Sequence, residues 1–394
     1  MRREPMELAA VATAAVPGLT PTAVSAAPDD PADFDSALLL DSEGKRWRVR
    51  SPRHAEASAR LETEFLVLRA FAPAVRAELP FLMPTVAGSV RLGTLSTFVY
   101  SHLGGSTRSV EELTGGSPAL AREIGTALAA IHDLPLDLVN NADLPSYTPN
   151  EFRQRRLNEL DQAATTGKIP AGLLLRWEHA LEDVSLWRFN PCVVHGDLHE
   201  DNLLVDGDRV SAVTGWTDLR IGDPADDFAW LVASNEQDFV DAVLAAYTSA
   251  RRDSTDTHLL RRAALSAEFA LAQYLVKGIA ADDAEMVAEA EDMLTSLDED
   301  IRRHGGQPIS VEPVVTLEPS APLPPVQPAP PVQAVPSVKP VPPVQPVPLK
   351  AVPAVHVTPI PPEPGHGAGD GVGPSANAED PSTAALSVVE IRKN

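Results

Sequence analysis

The chain reads as an α+β protein of two unequal lobes followed by a proline-rich tail. Three observations lead there. Segments with strand character cluster before Gly105, amphipathic helical periods dominate from Ser117 to about Arg303, and beyond Gly305 lie more than half of the 38 prolines. A length of 394 residues with 44% hydrophobic content is enough for a substantial core. The single cysteine, Cys192, excludes an internal disulfide and any cysteine-rich metal site. A reducing, cytoplasmic setting follows as the expectation, with Cys192 a small buried hydrophobe. A formal charge of -23 argues against a nucleic-acid binder, which needs basic surface for phosphates, and suits a cationic ligand such as an amino sugar. No run of about 18 apolar residues occurs, so no membrane span is expected.

Residues 1–34 read as a leader segment. Met6 to Val16 has helical character, but Glu7 interrupts the apolar run that a signal peptide would need. The small lobe is expected over 35–102. Ser36–Leu40 and Arg46–Arg50 read as strands around the turn Asp41-Ser42-Glu43-Gly44, and in the second Trp47 and Val49 alternate with Arg46, Arg48 and Arg50. A helix from Ala55 to Phe71 places Leu61, Phe65, Leu68 and Phe71 on one stripe, with Pro73 near its end. Ser96–Tyr100 is a further strand, and Tyr100–Gly105 reads as a hinge.

The larger lobe, 103–304, is predominantly helical. Helices are expected over Ser117–His132, Glu151–Thr165, Ala171–Phe189, Asn235–Arg251, Thr257–Ile279 and Asp282–Arg303. The last stretch, 305–394, reads as disordered: Pro324–Pro348 suggests polyproline II and Gly365–Ala376 a flexible segment. A Pro-motif-binding partner is the functional alternative to a passive extension.

Between the helices of the large lobe lies the stretch around which the chain is organised. Val193-Val194 leads in as a buried strand, His195-Gly196-Asp197-Leu198-His199-Glu200-Asp201-Asn202 forms a polar loop with a tight turn at Gly196, and Leu203-Leu204-Val205 resumes as a strand. Asp206-Gly207 is a two-residue hairpin signal, so Arg209–Val213 should return antiparallel and bring Gly215 and Trp216 beside Asn202. His195 is expected to brace the loop, and His199 and Glu200 to be solvated. Asp223 and Pro224 suit the cap and first residue of a helix, whose dipole Asp226 and Asp227 would favour.

His195-Gly196-Asp197, four residues, Asn202, and then a hairpin resembles the catalytic loop of kinase-like phosphotransferases. Together with Gly215-Trp216-Thr217-Asp218 and Gly222-Asp223-Pro224-Ala225-Asp226-Asp227, it is similar to the aminoglycoside phosphotransferase superfamily, nearest to the macrolide phosphotransferases. The resemblance implies a protein-kinase-like two-lobe fold, with ATP or GTP between the lobes and a small-molecule hydroxyl as acceptor. It implies Asp197 as the catalytic residue, Asn202 as a magnesium ligand, Arg50 as the residue pairing nucleotide phosphates and Glu64 as the partner of Arg50, with Glu62 the fallback.

Three positions depart from the family pattern. Gly215 stands where the family has its second metal-binding Asp, and Asp218 is the candidate replacement. Arg50 stands where Lys is usual. Asp29-Asp30-Pro31-Ala32-Asp33-Phe34-Asp35-Ser36 occupies the place of a phosphate-covering loop, yet lacks glycine and carries four carboxylates that would repel a triphosphate unless they face away. The implied function is an antibiotic-kinase-like O-phosphotransferase. The rival is a degenerate kinase-fold protein that binds nucleotide or a partner without transfer.

Overall fold

The computed structural model describes residues 2–310 and the short strand Val389–Ile391. The stretches expected as polyproline II and as a flexible tail, 324–348 and 365–376, lie outside the described residues.

The small lobe is a twisted sheet carrying helices. In chain order its elements are α1 (Pro5–Ala15), β1 (Pro21–Ala26), β2 (Phe34–Asp41), β3 (Arg46–Pro52), α2 (Ala55–Ala70), α3 (Pro73–Glu78), β4 (Val86–Leu92) and β5 (Leu95–Ser101). The strand order is β1-β2-β3-β5-β4, antiparallel throughout, and Val389–Ile391 lies parallel on the outer edge of β4. The Asp41–Gly44 turn closes β2 onto β3, with Asp41 accepting from the backbone N–H of Glu43 and Lys45 and from the Trp47 indole. Leu61, Leu68 and Phe71 of the α2 segment are buried, as their spacing requires, while Phe65 is half-buried.

Residues 1–34 are more than a leader. α1 lays Leu8, Ala9, Ala12 and Ala15 against Ala37, Leu39, Val49, Val90 and Val99 on one face of the sheet, and β1 pairs with β2. The physical reason is that β2, β3, β4 and β5 each turn small or branched apolar residues to that face, which an amphipathic helix covers.

The large lobe holds α4 (Val110–Thr114), α5 (Pro118–His132), α6 (Leu136–Asn140), α7 (Pro149–Ala164), α8 (Ala171–Glu182), α9 (Ala229–Ala233), α10 (Gln237–Ala250), α11 (Leu259–Ala280) and α12 (Ala284–His304). Two short ladders lie among them, β6 (Cys192–Val194) with β9 (Arg220–Gly222) and β7 (Leu203–Asp206) with β8 (Arg209–Val213). α7 starts on a capping box in which Thr148 and Glu151 satisfy each other's backbone N–H groups. α8 ends at Glu182 rather than Phe189, because Asp183 turns back to accept from Ser185 N–H and starts an irregular segment.

The lobes meet along the hairpin β7–β8. Leu82 exchanges backbone hydrogen bonds with β8 at 2.9 and 3.0 Å, and Ser106 does so with Val205 at 3.1 and 2.9 Å. The hinge is therefore strapped to the strands that follow the polar loop. Trp216, fully buried, lies 5.3 Å from the Phe71 ring and 6.3 Å from the Phe81 ring, so small-lobe residues share a core with the large lobe.

Candidate functional site

The polar loop leaves β6 with its backbone already fixed. Asp227, with no exposed surface, accepts from the N–H of His195 and of Gly196, each at 2.8 Å, and its carboxylate lies 3.0 Å from His132 Nε2. His132 Nδ1 in turn lies 2.8 Å from the Tyr247 hydroxyl. Burial alone would raise the Asp227 pKa; His132, His195 and the Gly196 N–H more than offset it and hold the carboxyl below its ordinary value. His195 is equally buried, and burial pushes its pKa down. As a neutral ring it donates from Nε2 to the Thr214 carbonyl at 2.8 Å, the bracing role expected of it.

On this frame Asp197 is exposed at the tip of the loop. Crowding by protein raises its pKa, His199 opposes that, and the nearby Asp218 adds to it. Asn202 donates from Nδ2 to the Asp197 carbonyl at 2.7 Å, and its own carbonyl accepts from Thr214 N–H at 2.9 Å. The hairpin pairs Leu203 with Val213 and brings Gly215 against Asn202, as Asp206-Gly207 predicted.

Gly215 has φ +77, the left-handed region, and a Cβ built on it would overlap the Asn202 carboxamide. The amide thus fills the space any residue-215 side chain would need. With Nδ2 committed to the Asp197 carbonyl, Oδ1 of Asn202 is the oxygen left for a magnesium ion. The donor set fits one ligand and lacks the second. Among the described residues no three His, Cys, Asp or Glu side chains are grouped to hold a metal. Magnesium tolerates this when waters and substrate phosphates complete its shell.

In the small lobe, β3 and α2 bring Arg50 and Glu64 together, Nη1 to Oε2 at 3.8 Å. Glu64 is buried and accepts from the Tyr100 hydroxyl at 3.1 Å. Glu62, the fallback, instead accepts from Ser96 Oγ at 2.6 Å and lies 3.9 Å from Arg91. Arg50 also lies 4.2 Å over the Phe34 ring and pairs with both oxygens of Asp29 at 2.8 and 2.9 Å. The four carboxylates of the glycine-free loop are all engaged by the protein. Asp29 has Arg50 and Arg48, Asp33 has His54 and Arg60, Asp35 accepts from Arg3 N–H, and Asp30 accepts from Ala32 N–H.

Sequence reasoning missed the support beneath the loop. Asp227 explains itself as a first-turn acid until the fold shows it beneath the loop. Asp223 caps Ala225 N–H at 2.9 Å, as expected, and also forms a buried pair with Arg262 at 2.7 and 3.0 Å. Asp226 binds Arg156 and Arg220, at 3.2 and 2.6 Å. A carboxylate-rich segment after a Gly-Asp-Pro turn, with unmatched arginines far along the chain, was the only signal available.

Residues 26–265 match the phosphotransferase enzyme family, APH. The chain is 24% identical over 208 residues to the uncharacterized protein YcbJ of Bacillus subtilis strain 168, covering 50% of this chain and 65% of that one. It is 31% identical over 176 residues to viomycin phosphotransferase of Streptomyces vinaceus, covering 43% of this chain and 58% of that one. The chain therefore spans less than two thirds of the length of these curated relatives. Among solved structures, macrolide 2'-phosphotransferase type I superposes with TM-score 0.61 at 26% identity, over 73% of this chain and 96% of that one. The GDP complex of aminoglycoside 2'-phosphotransferase-IIIa (TM-score 0.62, 16% identity) and the streptomycin-ATP complex of APH(2'')-IIa (0.55, 18%) share the fold, each over 76% of this chain and 99% of the other. The chain belongs to the phosphotransferase enzyme family and has the two-lobed, kinase-like fold.

Proposed function

We propose that the protein is an ATP- or GTP-dependent, magnesium-requiring O-phosphotransferase acting on the hydroxyl of a small molecule, of the macrolide or aminoglycoside antibiotic class or related to it. Its setting would be the cytoplasm. The observation that carries this reading is Asp197: its loop backbone is clamped by a buried carboxylate while its own side chain is exposed and its pKa is raised, the combination a general base needs. In this reading Asp197 accepts or orients the proton of the acceptor hydroxyl, and Arg50, steadied by Glu64, pairs with the nucleotide phosphates. Asn202 offers Oδ1 to magnesium, which when bound neutralises phosphate charge. Relatives holding GDP, or streptomycin with ATP, support the nucleotide and the acceptor class.

The test is magnesium-dependent turnover of ATP and GTP by the full chain with a panel of macrolides, aminoglycosides and viomycin. Turnover with at least one acceptor is expected, falling about 10²- to 10⁴-fold in Asp197→Ala. One observation favours the degenerate reading, the missing ligand at Gly215. Nucleotide binding without turnover across the panel would replace the transferase reading with it.

A further inference from the structure

In the small lobe Arg48, Arg50 and Ser36 converge on one largely buried carboxylate, Asp29. Arg50 donates from Nε and Nη2 to the two oxygens of Asp29, Arg48 Nη2 lies 3.2 Å from Oδ2, and Ser36 Oγ also donates to Oδ2. The Asp29 side chain is 9% exposed. Two guanidinium groups, one hydroxyl and a two-pronged acceptor make the geometry in which arginine binds carboxylate or phosphate. Arg48 also keeps a buried Nε without a partner, so the cluster has donor capacity that Asp29 does not use.

Charge balance shows what would replace it. Arg48 and Arg50 face Asp29 and Glu64, two positive groups against two negative. Glu64 is tied to Tyr100 on a buried helix face, whereas Asp29 sits on the connection between β1 and β2. Moving Asp29 out leaves a net positive pocket, and moving Glu64 out would take the helix with it.

We propose that Arg48, Arg50 and Ser36 form a phosphate-binding site that Asp29 occupies as an internal anion, so that a phosphate-bearing ligand binds there only by displacing Asp29. The proposal rests on the reading of Arg50 as the phosphate-pairing residue. Burial would raise the Asp29 pKa, but Arg50 and Arg48 together hold it below the ordinary carboxylate range. Asp29 therefore stays ionised at working pH, and a competing anion rather than a proton opens the site.

The experiment titrates ATP with magnesium, and separately inorganic tripolyphosphate, into the full chain, Asp29→Asn and Ser36→Ala by calorimetry. Hydrogen exchange of residues 27–36 is followed in parallel. A site closed nine-tenths of the time weakens apparent affinity about tenfold. Asp29→Asn should therefore bind ATP about tenfold more tightly, Ser36→Ala, which takes a donor from Asp29 and from the incoming phosphate alike, should change affinity far less, and exchange over 27–36 should quicken when ATP binds the unaltered chain. Tripolyphosphate following the same order would show that the phosphate chain alone is the ligand. Binding by Asp29→Asn but not by the unaltered chain would also support the proposal. Equal or weaker binding by Asp29→Asn, with the unaltered chain binding, would overturn it and leave the nucleotide reading standing. No binding by any of the three would overturn both.

Discussion

The large-lobe and small-lobe halves of the candidate site, its lower and upper walls, are held in different ways. Below, the loop bearing Asp197 is fixed through its backbone by a carboxylate with no solvent exposure, which itself rests on a His132–Tyr247 pair. Above, Arg50 is fixed through its side chain by Asp29, Glu64 and an aromatic face, and it keeps 23% of its side-chain surface. The difference separates a platform from a gate. A buried acceptor serving three donors cannot leave without stranding them, whereas an arginine between two acids can exchange one for a ligand.

Asp227→Ala is the severest way to break the lower wall. It strands the His195 and Gly196 N–H groups and His132, and should cost about 3–5 kcal/mol in urea unfolding, with loss of any turnover. The pH dependence has a definite sign. The folded pKa of Asp227 is lowered, so its contribution is present above about pH 4, its unfolded value, and is lost as pH falls through the folded one. His195, held neutral, loses stability in the same direction as it must charge. Asp227→Asn should accordingly show a flatter acid limb than the unaltered chain between about pH 5 and 2.

Gly215→Ala tests how tightly the same wall is packed. A Cβ in left-handed backbone costs about 1–2 kcal/mol, and this one must also push the Asn202 amide off the Asp197 carbonyl. The variant should lose that much stability and any magnesium dependence should weaken; an unchanged melting point would mean that Asn202 moves aside freely. Introducing Asp at 215 meets the same overlap, so restoring the family residue alone should not raise activity.

Smaller effects belong to the upper wall. Tyr100→Phe removes the hydroxyl that holds Glu64 and should cost about 1 kcal/mol. Arg50→Lys gives up the two-pronged pairing with Asp29 and, because the guanidinium is partly solvated, should change stability by less than about 1 kcal/mol. The pH profile of turnover sharpens the contrast: with its pKa raised, Asp197 should give an acid limb above the ordinary Asp value of about 3.9.

The lower wall's loop was legible because its parts are close in sequence. A strand, an eight-residue loop with a turn at Gly196 and six polar side chains, and an Asp-Gly hairpin specify one another locally, and the hairpin alone was enough to place Gly215 beside Asn202. Its foundation was not legible, because Asp227 lies 32 residues from His195 and a first-turn acid already has a local explanation. In the small lobe, β2, β3 and α2 followed from alternation and helical period. β1 did not, since Pro21-Thr22-Ala23-Val24-Ser25-Ala26 has small, mixed side chains and becomes a strand only because β2 offers an edge. The pairing of Asp29 with Arg50 depends on that same fold-back, and so could not be read from a run of acids.

The position of Trp216 bears on how the molecule comes apart. Phe71 and Phe81 of the small lobe cover an indole that the large lobe presents, and the same buried cluster continues through Leu120, Ile124 and Phe228. Neither lobe can melt while the other keeps its interior closed, because separation bares aromatic surface on both sides at once. The two lobes should therefore behave as a single cooperative unit, losing structure in one transition rather than two.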